Sequence, residues 1–322
     1  MGLRELLGEA RERTLSLLAS LSDEDLSRQH SPLQSPLVWD LAHIASFEEQ
    51  WLCGGQLRDE YDAIRHPRRL RDRLPLLTPG EAQAYAAAVR ERALGGLDGA
   101  DPSILRMVIQ HEHQHCETML QTIRLARLPY MRPPAPPRVE GEAYVEAGPF
   151  TMGTADREWA YDNERPAHEV DLPAFFVDRY PVTNAELGTA GPPDAPACHV
   201  SWHEAVAYAK GVGKRLPSET EWEKAAKLGV LAGVGYVWEW TASEFRGYDG
   251  FAAHPYREYS EPFFGDEYRV MRGASFATHP CIARVTFRNW DYPVRSQIFA
   301  GFRLARDPRG GDGPEGPSPV SC

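Results

Sequence analysis

The chain has 322 residues, 42% of them hydrophobic and 25% charged, with a formal net charge of −11. That length accommodates two domains, and this composition is ordinary globular usage, which excludes a chain disordered as a whole. The acidic balance excludes sequence-independent nucleic-acid binding, which depends on Lys and Arg neutralising phosphates, and no apolar run reaches the roughly 20 residues that cross a bilayer.

The opening stretch, MGLRELLGEARERT, is charged and amphipathic, unlike a secretion signal. Leu3, Leu6, Leu7, Ala10, Thr14 and Leu17 recur at helical spacing. Ser35 and Pro36 read as the cap and first turn of a second helix, whose apolar stripe runs through Leu37, Leu41, Ile44 and Ala45 to Trp51 and Leu52. The stretch 54–77 reads as a loop carrying the basic run RHPRRLRDR. Thr78, Pro79 and Glu81 have the spacing of a capping box. Asp101 and Pro102 open a fourth helix expected to stop near Leu128, before Pro129. Four helices with short connections over 1–130 predict an antiparallel bundle.

Residues 131–142, MRPPAPPRVEGE, read as a proline-rich linker. Beyond it Gly, Pro and aromatic residues rise and the segments shorten. A strand and a turn are expected over 144–153, strands at 168–172 and 174–177, helices at 203–211 and 219–228, and closing strands at YRVMRGASF and GFRLARD. The fold class is α+β, with a loop-rich second domain over 143–308 and a disordered tail over 309–322. Five cysteines, Cys53, Cys116, Cys198, Cys281 and Cys322, are scattered and odd in number, which points to reduced thiols and a cytoplasmic setting.

HEHQH, residues 111–115, lies in the fourth helix. His111 and His115 are i and i+4 and share a face, whereas His113 points elsewhere. A third imidazole, His43, sits on the apolar stripe of the second helix. Sites in bundle cores are commonly built from facing helices, and three neutral imidazoles suit either Zn(II) or Fe(II). The competing reading is a hydrogen-bonded core histidine beside a chance pair. Cys116 follows His115 but projects about 100° away, which favours packing over ligation.

In the second half, GPFTMG (148–153), NERPAHE (163–169), YPVTNAE (180–186), KRLPSETEWEKAA (214–226), VWEWT (237–241), RGASF (272–276) and GFRLAR (301–306) resemble the formylglycine-generating-enzyme, or sulfatase-modifying, fold, which is similar to a C-type lectin core. The helical half, with DLAHIA (40–45) and HEHQH, resembles a DinB-like four-helix bundle. Joined in this order, the two resemble the ergothioneine-pathway sulfoxide synthases. That resemblance implies a non-heme Fe(II) enzyme that uses O2 to join a thiol, such as γ-glutamylcysteine or cysteine, to the imidazole C2 of hercynine. It places the metal on His43, His111 and His115. It places Gln114, Asn289 and Trp290 against hercynine, and Asp291 and Arg295 against the amino-acid end of the thiol. Arg68 and Arg71, or Arg65 and Arg68, fit the arginine pair that reaches the glutamyl carboxylate.

These residue types suit such ligands. An aromatic face accepts a quaternary ammonium, a carboxylate receives an ammonium, and a guanidinium clamps a carboxylate. Asp291 and Arg295 equally read as a plain surface ion pair, and the basic run as a solvated loop. The resemblance also implies a tyrosine that supplies a proton, with Tyr248 and Tyr256 as candidates. The segments 184–197 and 228–237 are shorter than the family's usual ones. Metal ligands in one half and substrate residues in the other imply a cleft between domains. Alternatives are a selenosugar-using synthase, a DinB-like thiol transferase on zinc or iron, formylglycine generation, for which Cys281 lacks a close partner cysteine, and a lectin-like binding module. The sequence carries no signal for oligomeric state.

Overall fold

Side-chain caps from Ser22, Thr78 and Asp101 set where three helices of the first half begin. The computed structural model describes residues 2–308; the tail expected over 309–322, with Cys322, lies outside the described residues. Helix α1 (Leu3–Leu18) is followed by a short α2 (Asp23–Ser27), whose cap Ser22 accepts from the Asp25 N–H. Five residues are too few to show a periodic signal, so α2 has no signature in the sequence. Helix α3 (Leu37–Leu52) starts directly after Pro36, which takes the cap position itself; Ser35, expected as the cap, instead accepts from Arg71 at 2.7 Å. Helix α4 (Pro79–Gly96) opens on the expected capping box, with Thr78 Oγ1 accepting from the Glu81 N–H and Glu81 accepting from the Thr78 N–H. Helix α5 (Pro102–Leu125) is capped by Asp101 and ends three residues before the expected position, because Arg127 adopts a left-handed backbone with φ of 58°. The stretch 54–77 contains two 3₁₀ turns, Asp59–Tyr61 and Arg68–Arg73.

The described residues divide into two compact units. The first runs to Arg132 and takes in Arg157–Trp159 and Ala277–Ile282; the second holds the rest. In the first unit Leu37, Trp39, Leu41, Ala42, Ile44 and Ala45 of α3 pack with Ala82 and Ala86 of α4 and with Cys116, Met119 and Ile123 of α5. Small residues on α4 let it lie close against α3.

Four charged residues, one from each long helix, are buried together. Arg11 of α1 donates to Glu112 of α5 (2.7 Å) and to Glu48 of α3 (2.8 Å). Arg90 of α4 donates to Glu48 (2.6 Å) and Glu112 (2.7 Å). Two cations meet two anions, so the group is neutral, and every carboxylate oxygen has a partner. Such a network holds helix register, because sliding one helix by a residue leaves a buried charge unpaired.

In the second unit, β1 (Glu142–Val145) pairs antiparallel with β4 (Phe175–Asp178), and β4 with β9 (Ala305–Arg306). β2 (Gly148–Met152) and β3 (His168–Leu172) form a two-stranded ribbon. The short α6 (Asn184–Leu187), α7 (Trp202–Gly211) and α8 (Glu219–Lys227) precede β5 (Trp238–Phe245). β5 is central in a four-stranded sheet with β6 (Gly265–Arg272), β7 (Asn289–Asp291) and β8 (Ala300–Gly301), in the order β7-β6-β5-β8. The closing strand expected at YRVMRGASF is β6, whereas GFRLARD, expected as one strand, holds only the end of β8 and all of β9, each two residues long.

The recurrent strings of this half are structural. Glu219 of α8 takes both Arg288 Nε and NH2 at 2.8 Å, Glu223 pairs with Arg272, and Glu239 of β5 pairs with Arg303 and accepts from Trp222 Nε1 at 2.8 Å. Gly153 has φ of +70°, and a Cβ there would meet the Glu164 carbonyl oxygen at 2.7 Å, so the turn after β2 requires glycine. The two short segments are closed locally. Thr183 bridges to Pro196, and Ala232 donates to Arg179 O while its own carbonyl accepts from Arg303.

Candidate metal centre and substrate residues

Helix α3 is buried along its length from Leu37 to Glu48, so His43 faces the interior of the first unit. It is 4% exposed. Its Nδ1 lies 2.7 Å from the Tyr61 carbonyl, which accepts and so fixes the proton on Nδ1. The lone pair of Nε2 is left facing His111. Trp39, one turn earlier, lies flat on the His43 ring at 4.7 Å and 11°, and the Arg71 guanidinium lies over Trp39, 3.6 Å from the ring centroid.

Helix α5 brings the other two imidazoles to the same place. His43 Nε2 and His111 Nε2 are 3.1 Å apart. Ring centroids are separated by 5.0 Å for His43 and His111, 4.7 Å for His43 and His115, and 4.6 Å for His111 and His115. His115 Nδ1 donates to Asp40 Oδ1 at 3.0 Å, which frees its Nε2. Phe47 stacks on His111 at 3.8 Å. One donor atom from each of the three lies within 4.8 Å of the others.

The donor chemistry fits a borderline divalent metal. Two nitrogens bound about 2.1 Å from one ion in adjacent positions lie about 3 Å apart, which matches His43 and His111. Burial, and then His115 beside them, push His43 and His111 well below the ordinary imidazole range, so both are neutral and able to ligate. Nδ1–H on a carbonyl or carboxylate is the usual outer support of a metal-bound histidine. His111 Nδ1 is buried without a partner.

The sequence reading missed these supports. Asp40 had a legible signal, a buried-stripe carboxylate three residues before His43. The Tyr61 carbonyl had none, because a backbone oxygen carries no sequence mark. His113 turns away as expected and stacks on His279. Cys116 is fully buried and meets Thr14 Oγ1 at 3.3 Å, a packing role.

Gln114 lies on α5 beside this trio, half-buried, with its backbone carbonyl accepting from Thr118. Arg71 is buried, and its hydrogen bonds go to neutral oxygens, the His66 and Ala63 carbonyls and Ser35 Oγ. Burial lowers it to about 9. Arg68 is half-buried beside it, whereas the exposed Arg65 pairs with Asp59 at 2.5 Å.

In the second unit, Asn289, Trp290 and Asp291 form β7 on the edge of the four-stranded sheet. Trp290 is half-buried, stacked on Phe245 at 4.2 Å with Tyr259 edge-on at 5.7 Å. Asp291 Oδ2 lies 3.7 Å from Arg295 Nε, and Arg295 is 5% exposed, which is not the burial of a plain surface pair. Burial raises both Tyr248 and Tyr256, so both phenols are protonated at neutral pH. Tyr248 packs against Arg288 and His168, and its hydroxyl is buried without a partner. No helix among the described residues is long and apolar enough to cross a membrane.

Comparison with known proteins matches the sulfatase-modifying factor enzyme 1-like domain to residues 130–190, 187–233 and 226–308, and the DinB superfamily to residues 6–119. The chain is 38% identical to the hercynine oxygenase of Mycolicibacterium thermoresistibile, over 94% of this chain and 94% of that protein. It is equally 38% identical to the hercynine oxygenase of Mycobacterium tuberculosis, over 94% and 97%. The former alignment runs over 421 residues against the 322 of this chain, so that relative carries insertions absent here. The formylglycine-generating enzyme of Streptomyces coelicolor is 32% identical over 33% of this chain and 53% of its own length. With a helical half that carries three converging imidazoles and a sulfatase-modifying-factor half in the same order, and with this identity along nearly its whole length, the chain belongs to the hercynine oxygenase family.

Proposed function

We propose that the protein is an oxygen-using sulfoxide synthase of ergothioneine biosynthesis, joining the thiol of γ-glutamylcysteine, or of cysteine, to the imidazole C2 of hercynine. The observation that carries this reading is the convergence of His43, His111 and His115, with two of their outward nitrogens already engaged by Tyr61 and Asp40. Those three residues would hold Fe(II). When bound, the ion supplies the electron transfer that lets O2 react with an organic thiol.

The remaining residues bind and orient. Gln114 and Asn289 present amide groups to the hercynine imidazole, and Trp290 offers its ring face to the trimethylammonium, which has no N–H to donate. Asp291 receives the ammonium of the thiol substrate and Arg295 its carboxylate. Arg68 and Arg71 take the glutamyl carboxylate. Arg71 suits that role because it is buried and bonded only to neutral oxygens, so its charge lacks a carboxylate hydrogen-bond partner. Tyr248 or Tyr256, each kept protonated by burial, supplies the proton.

The test is direct. Protein loaded with Fe(II) without air is mixed with hercynine and γ-glutamylcysteine, air is admitted, and the products are weighed by mass spectrometry. The coupled sulfoxide is expected, with γ-glutamylcysteine preferred over cysteine. A product formed only from a selenosugar, or activity only with zinc, overturns the reading.

A further inference from the structure

We propose that Cys281 is an activated thiol and a site of oxidation by hydroperoxides, with His279 as its base and Glu9 as the carboxylate that orients that base. The three groups lie in the first unit, which takes in Ala277–Ile282, and none belongs to the candidate metal centre.

The geometry is that of a nucleophile, a base and an orienting acid. His279 Nδ1 is 3.1 Å from Cys281 Sγ and accepts the Cys281 N–H at 3.3 Å. His279 Nε2 is 3.3 Å from Glu9 Oε1. A carboxylate accepts only, so Nε2 carries the ring proton and Nδ1 is unprotonated, its lone pair shared between the Cys281 N–H and the thiol. The ring plane is held from one side by His113, stacked at 3.7 Å and 3°. His113 is fully buried and is itself held by Arg13, whose NH1 is 3.3 Å from His113 Nδ1 and which also donates to the Ala277 carbonyl.

The groups facing His279 are thus Glu9, Arg13, His113 and Cys281. Burial lowers the basicity of His279, and Glu9 opposes that effect, so the imidazole is neutral at neutral pH, the form that accepts a proton. Cys281 is half-exposed and the Glu9 side chain is 42% exposed, which leaves a small oxidant access.

His113, His279 and Cys281 also have the composition of a metal site, with donor atoms within 4.8 Å of one another. The stack argues against that use. An ion about 2.1 Å from an imidazole nitrogen lies in the ring plane, and it cannot lie in two nearly parallel planes whose rings are 3.7 Å apart. Arg13 also places a cation against His113.

The step balances without a further reactant. The thiol proton passes to His279 Nδ1 and the sulfur attacks one peroxide oxygen. The S–O bond forms as the O–O bond breaks, sulfur giving two electrons. The departing hydroxide or alkoxide takes the proton from His279. The products are the Cys281 sulfenic acid and water or an alcohol.

The experiment uses the full chain, with and without Fe(II), exposed to hydrogen peroxide and then dimedone, with adducts located by peptide mass mapping. Cys281 is expected to be labelled about tenfold or more faster than Cys53 and Cys198, and His279→Gln to remove that advantage; Glu9→Gln should reduce it partly. A melting curve checks that each variant is folded. Wild-type alkylation by iodoacetamide tests the same point without a variant. A Cys281 rate nearly flat across neutral pH is expected, and one that climbs up to the free-thiol value of about 8.5 overturns the proposal. Equal labelling of the three cysteines overturns it too. So does an equivalent of zinc that shields Cys281, persists in His43→Ala and is lost in Cys281→Ser.

Discussion

At the candidate metal centre outer hydrogen bonds decide which nitrogen faces inward for two of the three rings. Asp40 does this for His115 at 3.0 Å and the Tyr61 carbonyl for His43 at 2.7 Å. Asp40→Asn keeps the shape but removes the charge that strengthens the ring as a donor. We expect Fe(II) affinity to fall about 10- to 100-fold, read by anaerobic titration, while His43→Ala abolishes binding. Retained stoichiometric iron with full turnover in His43→Ala would show that the trio is not the centre. Trp290 offers a separate residue-level test. Trp290→Ala should raise the KM for hercynine about tenfold, the scale of a cation–π contact, and leave iron affinity unchanged; an unaltered KM removes Trp290 from the site. At this scale the histidine trio was legible, because a 3.6-residue period puts His111 and His115 on one face and the apolar stripe put His43 inside. The stack of Arg71 on Trp39 on His43 was not, since it joins a loop to a helix through ring faces that no spacing encodes.

The helices that carry those rings are tied together by the Arg11, Glu48, Arg90 and Glu112 group. Glu112 is the residue after His111, so the network that sets the register of α5 also sets the height of two of the three imidazoles. Glu112→Gln leaves Arg11 and Arg90 facing one buried anion. We expect a loss of about 3 kcal/mol or more, on the scale of breaking a buried pair, seen as a lower denaturant midpoint. An unfolding free energy within about 0.5 kcal/mol of wild type, the spread of neutral surface changes, would mean that the charges are not jointly buried in solution. Helix starts were legible from Thr78 and Asp101, whose side chains satisfy the first free N–H groups locally. The ion quartet was hidden, because four charges on four helices read individually as solvated surface.

Across the molecule, burial couples the centre to stability. His43 and His111 lie well below the ordinary imidazole range and His113 near about 3, all through desolvation first. The unfolded chain binds protons at these residues near pH 6.5 and the folded chain does not. Stability of the metal-free protein is therefore full above about pH 6.5 and lost progressively as pH falls below it. Melting temperatures taken from pH 8 to 5 should show that decline, and saturating Fe(II) should raise the melting temperature at pH 7.5; a metal-free melting temperature that rises on acidification contradicts the burial of these rings. Element types, helix starts and the pairing of a helical half with a strand-rich half could be read from the chain because each rests on contacts a few residues long, or on strings whose glutamates and arginines close the core of the second unit. Folding in three dimensions decided the rest. It chose Tyr61 to hold His43, joined four separated charges into one neutral group, and set Glu9 beside a histidine 270 positions away. Local propensity has no term for partners that meet only when distant segments share one interior.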